Sequence, residues 1–303
     1  MNWFWFAIIA LLCWSGSDFF SKIGCRDARD KYSHLKMVTA VGVVMGLHAA
    51  YEIFVGGVEI NFDIILTYLP VSALYILSMA MGYIGLRYIE LSISSPICNA
   101  SGALVAIASI VFGFSEMDHP LQYVAVALAC LGVIGLGIVE ATEDKDLRAA
   151  RQEASNYKYA KSWLALALPI AYCIFDAAGT FADSVVLETL DEDSANVAYE
   201  LTFLAAGMVA LFYTCVIKKQ KLIPKMEAPK YIGAIFETIG QFAYIYALAD
   251  TEHVAMSAPI ISAYCMASVL WSRIFLKEKL SWKHYAAIAV TVSGIIIMGV
   301  FDM

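Results

Sequence analysis

The feature of this sequence that most constrains its fold is a series of ten apolar stretches, each about 20 residues long, separated by short polar segments. A helix needs about 20 mostly apolar residues to cross the hydrocarbon core of a bilayer. The stretches therefore predict an all-α polytopic membrane protein with ten transmembrane helices. Their expected ranges are 2–23, 37–56, 64–88, 92–114, 120–140, 162–182, 194–217, 230–249, 253–275 and 281–302.

The composition agrees with this prediction and argues against other classes. The chain is 61% hydrophobic and 16% charged, whereas an average soluble domain is about 45–50% apolar and about 25% charged. A net charge of −7 without a basic arm predicts that nucleic acid is not a partner. The seven cysteines lie within or just beyond apolar stretches and form no CxxC pair, so we expect neither a disulfide framework nor a zinc site.

The two halves of the chain resemble each other in sequence order. The aligned pairs include Tyr123 with Tyr285, Gly132 with Gly294, and Trp14 and Asp18 with Tyr172 and Asp176. Five helices per half would place the second half in the opposite orientation, so the pattern predicts two inverted five-helix repeats. We expect a first repeat at 1–140, a charged cytoplasmic linker at 141–161 and a second repeat at 162–303.

The basic residues predict an orientation. All 20 lysines and arginines fall in or beside odd-numbered loops, and the even loops and both termini have none. Because basic residues mark the cytoplasmic side, we expect cytoplasmic odd loops, both termini outside, and a plasma membrane such as the bacterial inner membrane. The first loop is basic, whereas its expected equivalent in the second half, the sixth loop at 183–193, is acidic. Two inverted repeats require this reversal of charge.

Four acidic residues and no buried lysine are expected inside the membrane. A charge at a helix centre costs about 2.5–3.5 kcal/mol on insertion scales, so such residues usually face a cavity. Glu237, with Gln241 on the same helix face, is the strongest candidate for binding a substrate or a proton. Asp176 has no basic residue within one turn, which also favours a cavity site.

The other two acidic residues leave alternatives open. Asp18 is either a cavity residue or one partner of a helix-end ion pair with Lys22, four residues later. Glu200 closely follows three acidic residues at 191–193, so it lies either in the cavity or at the membrane edge. His48 and Glu52 form an i,i+4 pair that resembles half a metal site. Since a metal usually needs three or four ligands, we expect a local hydrogen bond there and no metal or other cofactor.

Aromatic residues and prolines complete the candidate site. Trp14 and Tyr172 lie one turn before Asp18 and Asp176, an arrangement that suits an organic cation through cation–π attraction; ordinary packing is the alternative. Pro96 and Pro259 lie at matching depths in the two halves. Each removes a backbone donor, so they are either a shared pair of hinges or ordinary first-turn prolines.

Several motifs resemble EamA-type proteins of the drug/metabolite transporter superfamily. The similarity extends over nearly the whole chain and is carried by 276–281 (LKEKLS), the run from Tyr285 to Gly299, Ser257-Ala258-Pro259, 10–16 (ALLCWSG) and, more loosely, Ser94-Ser95-Pro96. It implies ten helices in two inverted repeats around a central cavity lined by helices one, three, four, six, eight and nine.

On this sequence the resemblance places Trp14, Asn99, Tyr244 and Tyr264 near the cavity. Asp18, Asp176 and Glu237 are not general features of the family, so their roles follow from the residues alone. Many family members keep both termini in the cytoplasm, and the charge bias of this chain predicts the reverse.

Together these observations predict a secondary active transporter, not an enzyme, that moves a small organic metabolite across the lipid bilayer. A cationic or zwitterionic substrate, proton coupling and alternating access are expected. The substrate- or proton-binding candidates are Glu237, Asp176, Asp18, Gln241, Glu200, Trp14, Tyr172, Asn99, Tyr244 and Tyr264. The alternatives are an intramembrane enzyme, for which His48 and Glu52 are the only fragment of an active site, and a non-transporting membrane receptor with a dry core.

Overall fold

A computed structural model describes residues 2–25, 30–85, 91–113, 117, 119–142, 163–275 and 280–301. Residues 143–161 of the predicted linker lie outside the described residues. Residues 276–279 of the family motif also lie outside them. Within the described ranges the chain is helical and contains no strand. The predicted all-α class is confirmed.

Twelve α-helices cover the ten expected spans in the described chain. They are α1 (Trp3–Cys25), α2 (Ser33–Tyr51), α3 (Phe62–Gly85), α4 (Leu91–Cys98), α5 (Ser101–Val111), α6 (Pro120–Ala141), α7 (Trp163–Val186), α8 (Glu192–Leu211), α9 (Pro224–Leu248), α10 (Val254–Ser262), α11 (Tyr264–Phe275) and α12 (Trp282–Phe301). A π-helical turn extends α2 over Glu52–Gly56 and another extends α8 over Phe212–Ile217. Seven helical segments among the described residues are long and apolar enough to cross a membrane, and α9 is less apolar because it includes Glu227, Lys230 and Glu237.

The fourth and ninth expected spans each consist of two helices in the structure. The fourth span is broken between α4 and α5 at Asn99, and the ninth is broken between α10 and α11 at Ala263. Each break follows a proline, Pro96 or Pro259, by three or four residues. Since proline lacks an N–H and crowds the preceding turn, both helices are locally weakened near these positions.

The helices pack in pairs that mostly join the two halves. The main contacts are α1 on α9, α3 on α7, α2 on α8, α6 on α12 and α5 on α10. Glycine permits the closest approach: a Cβ on Gly42 of α2 would lie 2.6 Å from the carbonyl oxygen of Phe203 on α8. The large apolar side chains left outside, such as Phe54 and Val111, match a surface that faces lipid.

The two ends of the bundle are distinguished by their loops. Lys36 Nζ donates to the carbonyl oxygen of Lys221, 3.3 Å away, which joins the first and seventh loops at one end. The rings of Trp3 and His253 stack with centroids 5.0 Å apart, which joins the amino terminus to the eighth loop at the other. We call these the odd-loop end and the even-loop end.

Candidate functional site

A cavity of about 100 Å³ lies between the two halves. Side chains from the first, third, fourth, sixth, seventh, eighth and ninth spans line it. Nine of the ten predicted binding residues are among them: Trp14, Asp18, Asn99, Tyr172, Asp176, Glu237, Gln241, Tyr244 and Tyr264. Tertiary packing therefore gathers residues from both halves on one surface.

Three carboxylates lie on the cavity wall. The Ser95 hydroxyl donates to Asp18 Oδ2 at 3.0 Å, and the Ser101 hydroxyl donates to Asp176 Oδ2 at 2.7 Å. Glu237 is buried, with 9% of its surface exposed. Among the described residues that line the cavity there is no lysine, arginine or histidine. The negative charge of this wall is therefore met by hydroxyl groups and not by a lining cation.

Two N–H donors also face the cavity region. Trp14 Nε1 and Gln241 Nε2 are buried, and neither has a hydrogen-bond partner among the described residues. The Trp14 ring lies 4.9 Å from the Tyr244 ring and 6.0 Å from the Tyr264 ring, centroid to centroid. A Cβ on Gly240 would lie only 2.4 Å from Trp14 Cδ1, so the glycine makes room for the indole. The wall thus combines acceptors, donors and aromatic surface.

The broken fourth span contributes Asn99 at its turn. Asn99 Nδ2 donates to the Ser95 carbonyl oxygen at 2.8 Å, one turn back on the amino-terminal side of the break. This bond fixes the amide of Asn99 beside Ser95, which itself holds Asp18. The last turn of α4 and the residue after it thus present Ser95 and Asn99, four residues apart, on the helix face that lines the cavity.

Glu200 does not line the cavity. It is fully buried on α8 and its carboxylate lies 2.9 Å from His48 Nδ1 on α2. His48 Nε2 is in turn 3.6 Å from Glu52. The pair predicted from sequence is thus part of a three-residue cluster between α2 and α8, and no group of three or more residues suited to a metal occurs in the described chain.

Sequence reasoning missed a further buried carboxylate, Asp183. The predicted helix ended at 182 and assigned Asp183 to the acidic sixth loop, but α7 continues to Val186 and Asp183 is fully buried. Its oxygens accept hydrogen bonds from the hydroxyls of Tyr68, at 2.7 Å, and Tyr75, at 3.3 Å. Asp176 and Asp183 are seven residues apart, as are Tyr68 and Tyr75. A spacing of seven residues, about two helical turns, places both members of each pair on one helix face. That spacing is the sequence signal that would have identified Asp183 and its tyrosine partners.

The prediction that no lysine is buried was wrong. Lys230 is fully buried and Lys36 is 6% exposed, both at the odd-loop end and outside the cavity. Lys36 Nζ lies 3.0 Å from Asp30, and Lys230 Nζ lies 3.0 Å from Glu227. Cross contacts of 3.5 and 3.7 Å complete a four-residue ionic cluster. Burial is tolerated because each lysine has two carboxylates near it. Single-helix spacing reveals only the i,i+3 pair of Glu227 and Lys230; the other contacts depend on tertiary packing.

Comparisons with known proteins agree with the fold. One matching solved structure, a crystal structure, has a TM-score of 0.68 over 99% of this chain and 96% of that chain, at 12% sequence identity; this shows a shared fold. No curated protein matches the sequence. The model of the EamA-like transporter family matches residues 163–300. The resemblance is therefore confirmed: residues 163–300 belong to the EamA-like transporter family, within the drug/metabolite transporter superfamily.

Proposed function

We propose that this protein is a secondary active transporter for a small cationic or zwitterionic metabolite. The observation that carries the proposal is the cavity between the halves, where Asp18, Asp176 and Glu237 lie without a lining cation among the described residues. Desolvation penalises an ionised carboxylate. A bound ammonium group or a proton offsets that penalty, and either can occupy the same wall.

The donors refine the class of substrate. The N–H groups of Trp14 and Gln241 suit a carboxylate or hydroxyl of the ligand, while the acidic side chains suit its amine. The cavity volume of about 100 Å³ is below the ~150 Å³ of an engineered cavity that binds benzene. In this conformation the small volume therefore favours a small amine or amino acid over a nucleoside.

Alternating access by an inverted repeat is the proposed mechanism. The packing supports it: exchanging the halves turns the pair α1 and α9 into α7 and α3, while the pairs of α2 with α8 and α6 with α12 map onto themselves. The π-helical turns and the two broken spans also fall at equivalent places. The proposed repeats span 1–140 and 162–303, with Pro96 and Pro259 as hinges where each broken span bends.

Proton coupling follows from competition for the same carboxylates. We propose that Glu237 and Asp176 hold a proton when the substrate is absent and release it when the amine binds, so that the two species move in exchange. The basic odd loops favour an orientation with both termini outside and the odd-loop end in the cytoplasm.

A thermal-shift screen on the purified protein tests the proposal. Putrescine, choline, glycine betaine and small amino acids are the probes, with adenosine as an oversized comparison. We expect a subset of the amines or amino acids to raise the unfolding temperature and adenosine to leave it unchanged. If none of the amines or amino acids stabilises the wild type, the substrate class proposed here is wrong.

The strongest probe is then followed into proteoliposomes. Glu237→Gln should abolish its pH-dependent uptake, because the amide cannot exchange a proton. Glu52→Gln is the matched control, since Glu52 lies outside the cavity beside His48, and it should retain uptake. Normal pH-dependent uptake by Glu237→Gln would contradict the role of Glu237.

A further inference from the structure

Asp183 joins the two halves of the protein at the even-loop end of the cavity. It lies one turn from the end of α7, and both tyrosines that bind it belong to α3. Tyr68 holds one carboxyl oxygen and Tyr75 holds the other. The carboxyl group is therefore the point through which the third span of one half is fastened to the sixth span of the other.

Tyr75 also connects Asp183 to the cavity. Its hydroxyl contacts the hydroxyl of Tyr244 on α9 and lies 3.3 Å from Thr180 Oγ1. The Tyr244 hydroxyl donates to Thr180 Oγ1 at 2.8 Å. Tyr75, Tyr244 and Thr180 all line the cavity, whereas Asp183 lies behind them. A continuous chain of hydroxyl groups thus links the cavity surface to a buried carboxyl group.

The hydrogen bonds along this series of hydroxyl groups can point in either of two directions, toward Asp183 or away from it. Each tyrosine hydroxyl carries one proton and can donate one hydrogen bond at a time. When Asp183 is ionised, Tyr68 and Tyr75 both donate to it, and Tyr244 donates to Thr180. When Asp183 holds a proton, it donates to the Tyr75 oxygen, and Tyr75 turns its own proton toward Tyr244 or Thr180. One proton is gained at Asp183 and no other bond is broken.

The surroundings of Asp183 leave its charge without a counter-charge. The titratable groups that face it are Tyr68 and Tyr75 from α3, Tyr199 from α8 and Tyr244 from α9; the other acid of its own helix near this cluster is Asp176. In the described chain no lysine, arginine or histidine lies within ion-pair distance of Asp183. Hydrogen bonds to an ionised acceptor are roughly twice as strong as neutral ones, so gain of a proton loosens the fastening of α3 to α7.

Building on the transport function proposed above, we propose that Asp183 is a proton-binding site, separate from the carboxylates of the cavity wall, that controls closure of the even-loop end. Ionised Asp183 keeps α3 and α7 together and that end shut. Protons reach it from the cavity through Tyr244 and Tyr75, and a protonated Asp183 lets the two helices part. Tyr75 is a positioning residue that transmits the state of Asp183 to the cavity.

Two ligand-free measurements test the proposal on the full chain. Infrared difference spectra between mildly alkaline and mildly acidic pH report protonated carboxyl groups. Hydrogen exchange followed by mass spectrometry, corrected for the intrinsic pH dependence of exchange, reports protection at the even-loop ends of α3 and α7. In the wild type we expect a carboxyl band to appear at acidic pH, together with a loss of protection in both segments.

Asp183→Asn should lose the Asp183 component of that band, while the components of the cavity carboxylates remain, and it should show the same low protection at both pH values. The matched control is Asp193→Asn, because Asp193 also accepts a hydrogen bond from a tyrosine, Tyr246, but on the exposed surface. It should keep the wild-type pH response of both segments. A wild-type band and wild-type exchange in Asp183→Asn would overturn the proposal.

Tyr68→Phe keeps the test valid even if Asp183→Asn does not fold. This variant retains the carboxyl group and its link through Tyr75, so the band should remain while protection falls at alkaline pH. Unchanged protection in Tyr68→Phe would equally contradict the fastening role. Since neither readout uses a substrate, failure of the thermal-shift screen would reject transport of amines without affecting Asp183, and the converse also holds.

Discussion

Glu227 and Glu237 lie ten residues apart on α9, and they differ in whether basic side chains lie beside them. Both are buried, with 6% and 9% of their surfaces exposed. Glu227 has two lysines within 3.5 Å, Lys230 and Lys36. Glu237 lines the cavity, whose described lining includes no cation. A buried charge that the chain itself balances is costly to leave without its partner, whereas we propose that a ligand or proton supplies the charge missing beside Glu237.

The largest effect on the free energy of unfolding is expected when the balanced carboxylate, Glu227, loses its charge. Glu227→Gln should lower the free energy of unfolding by about 3–5 kcal/mol, because it leaves two buried lysines short of a carboxylate. Denaturant unfolding in detergent micelles measures the change. Equal losses in Glu227→Gln and Glu237→Gln would show that the two carboxylates do not differ as proposed.

Gly240→Ala tests how the cavity wall is packed, without changing any charge. The new methyl group would meet the Trp14 ring at 2.4 Å, and overpacking of this kind typically costs about 1–3 kcal/mol. We also expect the thermal stabilisation by the best amine probe to decrease, since the indole moves into the cavity. Gly233→Ala is the control on the same helix, because a Cβ there would meet only the ends of two side chains, Met37 Cε and Ser21 Oγ, both at 3.3 Å, as its nearest neighbours. Identical behaviour of the two variants would contradict the role of Gly240.

A double-mutant cycle of Glu227→Gln and Lys230→Met measures the coupling inside the ionic cluster. Partners in direct contact usually show interaction energies of about 0.5–3 kcal/mol. The double variant should therefore be more stable than the sum of the single changes predicts. Strict additivity would mean that the 3.0 Å contact contributes nothing beyond burial of the separate groups.

The smallest effect on stability is expected for Glu237→Gln. Glutamine cannot ionise and resembles the protonated carboxyl group, so any desolvation penalty of the ionised form disappears. The free energy of unfolding should therefore change by no more than about 1 kcal/mol, in the direction of greater stability. The same unfolding assay used for Glu227→Gln gives the value. A loss as large as that of Glu227→Gln would place Glu237 among the structural charges.

The sequence predicted the helices better than their ends and partners. Trp14, Asp18, Tyr172 and Asp176 were identified because an aromatic residue and an acid recur at the same spacing in both halves, and all four line the cavity. Asp183 was assigned to a loop because polar residues follow it closely, although α7 continues past it. Its burial depends on two tyrosine hydroxyls more than 100 positions away in the chain, which no local pattern reveals.

The sequence by itself determined that the chain is a polytopic helical membrane protein, and it predicted acids within several of the spans. A bilayer admits few backbone arrangements, so length and apolarity were sufficient for that conclusion. Only the tertiary structure decided which acids share a cavity, which are balanced by Lys36 and Lys230, and which is held by tyrosines. The energy of a buried charge depends on the groups within a few ångströms of it, and packing between the two halves sets those neighbours.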